Sequence, residues 1–194
     1  MVRHYRPVPI DPAVLDRVLD AARCAPSAGF SQGVELVVVT SEVGRHRLAA
    51  DAHEPEYVAR GFEPWLSVAP VHVVLACDPG AYRTRYGRPD KADSISPDDW
   101  PAPYWWVDAG AVMMLLLLAA ENAGLAAGFL GSHAFGDLAA ASGIPDRYET
   151  IGLVTLGHAS DVARTVAKPR PRRPLADIEH DEVWGNPRRS EPGE

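Results

Sequence analysis

The residues from Ala109 to Ala120 read AGAVMMLLLLAA, and they restrict what the rest of the chain can become. At about 1.5 Å of rise per residue the run is too short for a bilayer core of roughly 30 Å. Its flanks extend it into a helix over 105–122 that is apolar nearly all round, so other elements or another subunit must cover it. Candidates for that cover are easy to find. Val34–Thr40 (VELVVVT), Val71–Cys77 (VHVVLAC) and Ile151–Leu156 (IGLVTL) have the β-branched, apolar character of buried strands, and Ala126–Leu130 suits a shorter one.

Helices fall between these strands. Asp11 followed by Pro12 is a strong helix start, and Val14, Leu15, Val18, Leu19 and Ala22 then share one face until Pro26 stops the pattern. Further helices are expected over Ser41–Ala52, in the region Glu56–Ser67 and over Phe135–Ser142. Residues 78–103, rich in Pro, Gly, Asp and Arg, read as a long loop suited to a lid. From Ala167 the chain becomes rich in proline and arginine (AKPRPRRPLADIEH), as expected of an extended arm ending in a polar tail. One domain of α+β (mixed α/β) class follows for residues 1–194, with the arm beginning near 165.

A formal net charge of −7 disfavours a polyanion as partner, so nucleic acid is not expected, and neither is a membrane. The two cysteines, Cys24 and Cys77, form no CxxC, and the opening MVRHYRPVPI places prolines where a secretory leader would need an apolar stretch. A reducing cytoplasm is the expected setting.

Gly29-Phe30-Ser31-Gln32-Gly33 fits the G-x-S-x-G pattern of a hydrolase nucleophile. That motif requires a strand before the serine and a helix after it. Here a helix precedes and a strand follows. His133, His158 and Asp108 are available to complete a triad, but Ser31 as nucleophile remains the weaker reading. A loop of small residues such as Pro26-Ser27-Ala28-Gly29 instead suits close backbone approach to a flat or anionic ligand, or simply a tight connection.

The stretch YRPVPIDPAVLDRVLDAARCAPSAGFSQGVELVVVT resembles the opening of the FMN-dependent nitroreductase family. The likeness continues through Asp108-Ala109-Gly110, LLLLAAENAGL, Gly143-Ile144-Pro145, IGLVTLGH and RPRRPLADIEH, in order along nearly the whole chain. It implies a three-layer sandwich, a central mixed sheet flanked by helices, in a homodimer with an extended C-terminal arm. It also implies FMN held between subunits, with NADH or NADPH as donor and a small planar molecule (nitroaromatic, quinone or enone) as electron acceptor. Flavin N5 carries the chemistry, so no catalytic side chain and no metal is expected.

By the same resemblance, Arg3 supplies the cation beside the N1 and O2 edge of the flavin, where reduction leaves negative charge. Pro26, Ser27 and Ala28 pack on the ring from the partner subunit. Leu130, Gly131 and Ser132 lie beneath it and present N–H groups to N5 and O4. Arg172 grips the phosphate, with Arg170 as a second cation. Trp65, Trp100, Tyr104, Trp105 and Trp106 suit stacking on a substrate, or core and subunit contacts.

The pattern departs at its start: where the family carries Arg-x-Ser before the position of Val2, this chain has Met1. Either another start precedes it, or His4, Arg6, Arg170 and Arg172 hold the phosphate, or flavin binding is weak. The last case gives a second reading, a flavin-poor binding protein on the same fold. Phe30 replaces a frequent asparagine, and Gly33-Val34 a frequent Pro-Trp, which leaves the substrate side of the pocket open.

Overall fold

The computed structural model describes residues 2–161 and 171–187. Contacts divide the chain into two units, Met1–Ala163 and Arg164–Glu194. Among its described residues the first unit holds five strands: β1 (Tyr5–Arg6), β2 (Val34–Val39), β3 (Val71–Cys77), β4 (Ala126–Gly131) and β5 (Glu149–Ala159). Six helices accompany them: α1 (Pro12–Ala22), α2 (Glu42–Asp51), α3 (Glu54–Ala59), α4 (Pro79–Tyr86), α5 (Tyr104–Asn122) and α6 (Leu138–Ser142).

The sheet runs β2, β3, β5, and the far side of β5 is shared by β4 and β1. β3 therefore has a strand on each side and helices on each face, which is why VHVVLAC is apolar without alternation and buried at every residue. Its side chains alternate in destination. Val71, Val73 and Leu75 join Val18 and Ala22 of α1 and Val112, Leu116 and Ala120 of α5 in one core. Val74 and Ala76 join Leu48 of α2 and Leu138 of α6 in the other. Helix, sheet and helix make three layers. Each fully buried Leu or Val contributes on the order of 1.5–3 kcal/mol.

The α+β class stands, with one correction: every pairing among the described strands is antiparallel, where a mixed sheet was expected. A β-bulge between Leu75 and Ala76 shifts the β3–β5 register. Two further expectations fail locally. The helix expected in Glu56–Ser67 is the shorter α3, which follows His53 in the left-handed region (φ 58°) and stops before Gly61 (φ 88°). The expected loop at 78–103 opens as α4, because Asp78 Oδ1 accepts from Gly80 N–H at 2.8 Å and Pro79 fills the first helical turn. Short 3₁₀ turns follow at Pro89–Lys91 and Pro97–Asp99.

By length and composition alone α5 is apolar enough to cross a membrane. Its packing is that of a core helix on one side: Asp108, Ala109, Val112, Leu116 and Ala120 are buried. On the other side Val107, Met114 and Leu118 are exposed.

In the second unit, residues 171–187 contain a 3₁₀ turn at Leu175–Asp177 and an antiparallel bridge between His180 and Pro187.

Candidate functional site

At one end of the sheet Val34 opposes Cys77, Cys77 opposes Glu149, and Gly152 opposes Gly131. From this end the loop containing Pro26–Ala28 leads into β2, and a 3₁₀ turn, Ser132–Ala134, leads out of β4. The two lie on opposite sides of the sheet with β3 and β5 between them. Three inter-strand spacings amount to about 14 Å. Within one chain, Pro26, Ser27 and Ala28 are therefore not brought together with Leu130, Gly131 and Ser132.

Arg3 shares the β4 edge. The Val2 N–H donates to the Ala127 carbonyl at 2.8 Å, which lays the first residues along β4. Tyr5 fixes the direction: its hydroxyl meets Thr155 Oγ1 at 2.7 Å and donates to the Val2 carbonyl at 3.0 Å. Burial pushes the Tyr5 phenol up to about 12, although the Thr155 hydrogen bond favours its ionised form. The exposed Arg3 guanidinium lies over Trp65, 5.3 Å from the ring centroid.

Trp65 is held by a contact that the sequence did not announce. Buried Glu54 accepts from the backbone N–H groups of Trp65, Leu66 and Ser67 at 2.7, 2.6 and 3.0 Å. Arg45 binds the Ser67 and Ala69 carbonyls at 2.9 and 3.1 Å. His72 Nε2 meets the Leu66 carbonyl at 2.7 Å, and burial holds this imidazole down at about 4. A neutral ring with its proton on Nε2 suits that bond.

On the β2 side, the Ala28 N–H donates to Asp108 Oδ2 at 2.9 Å and the Tyr82 hydroxyl donates to the same oxygen at 2.7 Å. Burial, then the neighbouring Asp108 carboxylate, raises the Tyr82 phenol. Arg85 Nε donates to the Gly29 carbonyl at 2.8 Å, and Ser27 Oγ accepts from Gln32 N–H at 3.0 Å, leaving the Ser27 proton to point elsewhere. Gly29 has φ 59°, and a Cβ there would lie 2.7 Å from the Tyr86 ring. Only glycine suits both conditions. Pro26 is exposed, whereas Ser27 and Ala28 are half-buried.

On the β4 side, Leu130, Gly131 and Ser132 are half-buried. Gly152 (φ 149°) sits against the Leu130 carbonyl so closely that a Cβ would overlap it, which draws β4 in at this point. Among the described residues the Ser132 N–H donates to no backbone carbonyl. Ser132 thus offers a donor at the strand end.

The aromatic residues divide. Trp100 packs edge-on against Tyr86, Tyr104 and Tyr82, with centroids 4.9, 5.3 and 6.3 Å apart. Trp105 and Trp106 both donate to Glu149 Oε2, at 2.9 and 2.5 Å. Their polar edges are thus occupied by the fold. Ser31 Oγ donates to the Ala28 carbonyl at 2.6 Å, and no histidine bonds to it among the described residues, so no Ser–His pair forms. Cys77 is buried, and burial pushes its thiol up to about 12, away from the thiolate form. Arg172 is exposed in the second unit, where the neighbouring Arg173 caps the Asp177 carbonyl at 2.6 Å. Arg170 and Met1 lie outside the described residues.

The sequence model of the Nitroreductase family matches residues 1–158. An uncharacterized 15.4 kDa protein in the ask 5′ region of Mycolicibacterium smegmatis is 33% identical over 97 residues, 46% of this chain and 65% of that protein. The chain thus spans just under two thirds of that relative's length. A nitroreductase family protein from Streptococcus pneumoniae superposes with TM-score 0.71 at 22% identity, covering 93% of this chain and 94% of that one. A protein from Exiguobacterium sibiricum solved in complex with FMN gives 0.70 at 23%, covering 93% and 92%. The NADPH:FMN oxidoreductase of Vibrio harveyi, complexed with NAD+, gives 0.68 at 22%, covering 94% and 73%. At such identities the structural likenesses establish the fold.

Proposed function

The chain belongs to the nitroreductase family, and from that premise we propose that it is an FMN-dependent oxidoreductase working as a homodimer. When bound, FMN would supply the redox chemistry that couples NADH or NADPH to a small planar acceptor of nitroaromatic, quinone or enone type.

The chain's own residues suit such a group. Arg3 offers a positive charge along the β4 edge, and Ser132 offers at its end an N–H that meets no backbone carbonyl among the described residues. A cation and backbone donors are what a ring edge bearing carbonyl oxygens requires. Pro26, Ser27 and Ala28 form a small-residue surface that Asp108 and Arg85 hold in one conformation. Arg172 and Arg170 are the proposed phosphate cations.

The observation that carries the reading is the separation of the two loop sets across the sheet. Neither encloses a ring alone. A second copy presenting its own Pro26–Ala28 loop to the β4 edge would complete one pocket from two incomplete halves. The exposed stripe of Val107, Met114 and Leu118 on α5 supplies an apolar surface for that pairing. Two free cysteines, one of them buried, accord with the proposed cytoplasmic setting.

Purified protein is expected to show bound-flavin absorbance in the blue, or to gain it on incubation with FMN and removal of the excess. Anaerobic titration with NADH and NADPH should then bleach that band. Protein that stays colourless after reconstitution would sink this reading and favour the flavin-poor binding protein.

A further inference from the structure

Next to the Pro26–Ala28 loop is a cleft of about 1010 Å³ that the proposed flavin chemistry does not use. One wall is the turn from Phe30 to Gln32. The other is α4 and the segment after it, bearing Arg83, Arg85 and Arg88, with Arg147 at the end. These cations are unequally neutralised. Arg83 binds Asp98 at 2.8 Å, and Arg85 grips both oxygens of Asp90 at 3.0 and 2.7 Å. Arg147 reaches Asp78 only at 3.8 Å, lies over the Tyr148 ring and donates one N–H to the Tyr148 hydroxyl at 2.9 Å, which leaves its other donors free of a close carboxylate, while Arg88 has no acidic partner among the described residues. A chain of formal net charge −7 repels anions at long range. Arg88 and Arg147 are where one could still be held, through planar forks matched to phosphate oxygens.

Phe30 adds an independent observation. Its backbone lies in the left-handed region (φ 59°), which a residue with a Cβ seldom adopts, and Gln32 follows at φ 51°. The ring gains no burial in return, being 72% exposed. The conformation persists because its surroundings over-determine it, through Asp108 on Ala28, Arg85 on Gly29 and Ser27 on Gln32. The result is an aromatic face presented to water at the mouth of a cationic cleft. A ligand that uses both features carries a flat ring and a phosphate.

We propose that this cleft receives the phosphorylated adenosine end of the nicotinamide donor, with the base on Phe30 and the phosphates at Arg88 and Arg147. The assignment rests on the flavin reading, which supplies the need for a nicotinamide dinucleotide. Phe30 follows Ala28 by two positions, so a donor whose reactive end meets that loop has the cleft beside it.

The test uses the full chain after incubation with FMN, titrated calorimetrically with adenosine 2′,5′-bisphosphate and, separately, with adenosine. The double variant Arg88→Ala/Arg147→Ala should weaken the bisphosphate at least about ten-fold and change adenosine little. Phe30→Gly should weaken both probes while raising the melting temperature, because glycine relieves the backbone; a purely structural Phe30 would leave the probes unaffected. Flavin absorbance is read in the same samples. Bisphosphate affinity equal in wild type and both variants overturns the proposal, whether or not FMN binds. An intact nucleotide response in protein that takes up no FMN counts against the flavin reading and leaves the cleft standing as a nucleotide site.

Discussion

The guanidinium of Arg3 rests on the indole face of Trp65, and Trp65 is itself anchored by a buried carboxylate, Glu54. A terminal arginine is thereby given a defined place. Arg3→Ala should slow flavin reduction by NADH or NADPH about ten-fold or more while changing FMN affinity less. Trp65→Leu should give a smaller effect in the same direction, since an exposed cation–π contact contributes about 0.5–1 kcal/mol. Stopped-flow reduction and the flavin midpoint potential read both. Equal rates in wild type and Arg3→Ala would remove the arginine's proposed role.

Arg172→Ala should weaken FMN binding by about 1–3 kcal/mol, the scale of a charge-assisted hydrogen bond. Fluorescence titration of apoprotein measures it, and unchanged affinity would refute the phosphate assignment.

Asp108 carries two donors on one oxygen. Asp108→Ala leaves the Ala28 N–H and the Tyr82 hydroxyl without their acceptor, and should lower stability by about 2–4 kcal/mol in urea denaturation. Asp108→Asn retains an acceptor and should lose less than half as much. An Ala variant as stable as wild type would show that the loop is not held from α5.

His72 predicts the acid limb of stability. Its folded value is about 4 and its ordinary value 6.5, so between these the unfolded chain binds more protons. Stability from this group is complete above pH 6.5 and drains away as the pH falls toward 4, by about 3 kcal/mol in all. The charged groups that face it are Arg45, which disfavours the imidazolium, and Glu54, which favours it. His72→Gln should flatten that limb; an unaltered pH profile in the variant would rule the residue out as its source.

Leu118 lies in the exposed stripe of α5, 55% accessible in the single chain. Leu118→Glu should yield monomer in sedimentation velocity at micromolar concentration, with loss of bound flavin. A monomeric variant that keeps full flavin occupancy would contradict a pocket built from two subunits.

The strands were the most legible part of the fold because burial on both faces leaves a plain mark in composition. Val71–Cys77 is the same segment in sequence and structure. Strand direction leaves no such mark, which is why an antiparallel sheet was not foreseen. α4 was hidden by Pro79, Gly80 and Gly87, yet Asp78-Pro79 repeats the start signal that correctly identified α1 at Asp11-Pro12. β1, two residues long, has no period to detect. In the candidate site, Asp108 was visible as a possible triad member and in the family likeness, but its hold on the Ala28 loop was not. The Arg3–Trp65 contact joins segments far apart in sequence, the Glu54 contacts close a loop of 11 to 13 residues, and no local pattern announces either.

α5 has one side in the core, another bare, and near its start the aspartate that fastens the Ala28 loop. If protomers meet on the bare side, any loosening between them is felt along a rigid rod by the very loop proposed to meet the cofactor. Exchange of protomers and escape of flavin should then keep common time, so that mixing labelled and unlabelled holoprotein would release FMN at the rate at which hybrids form.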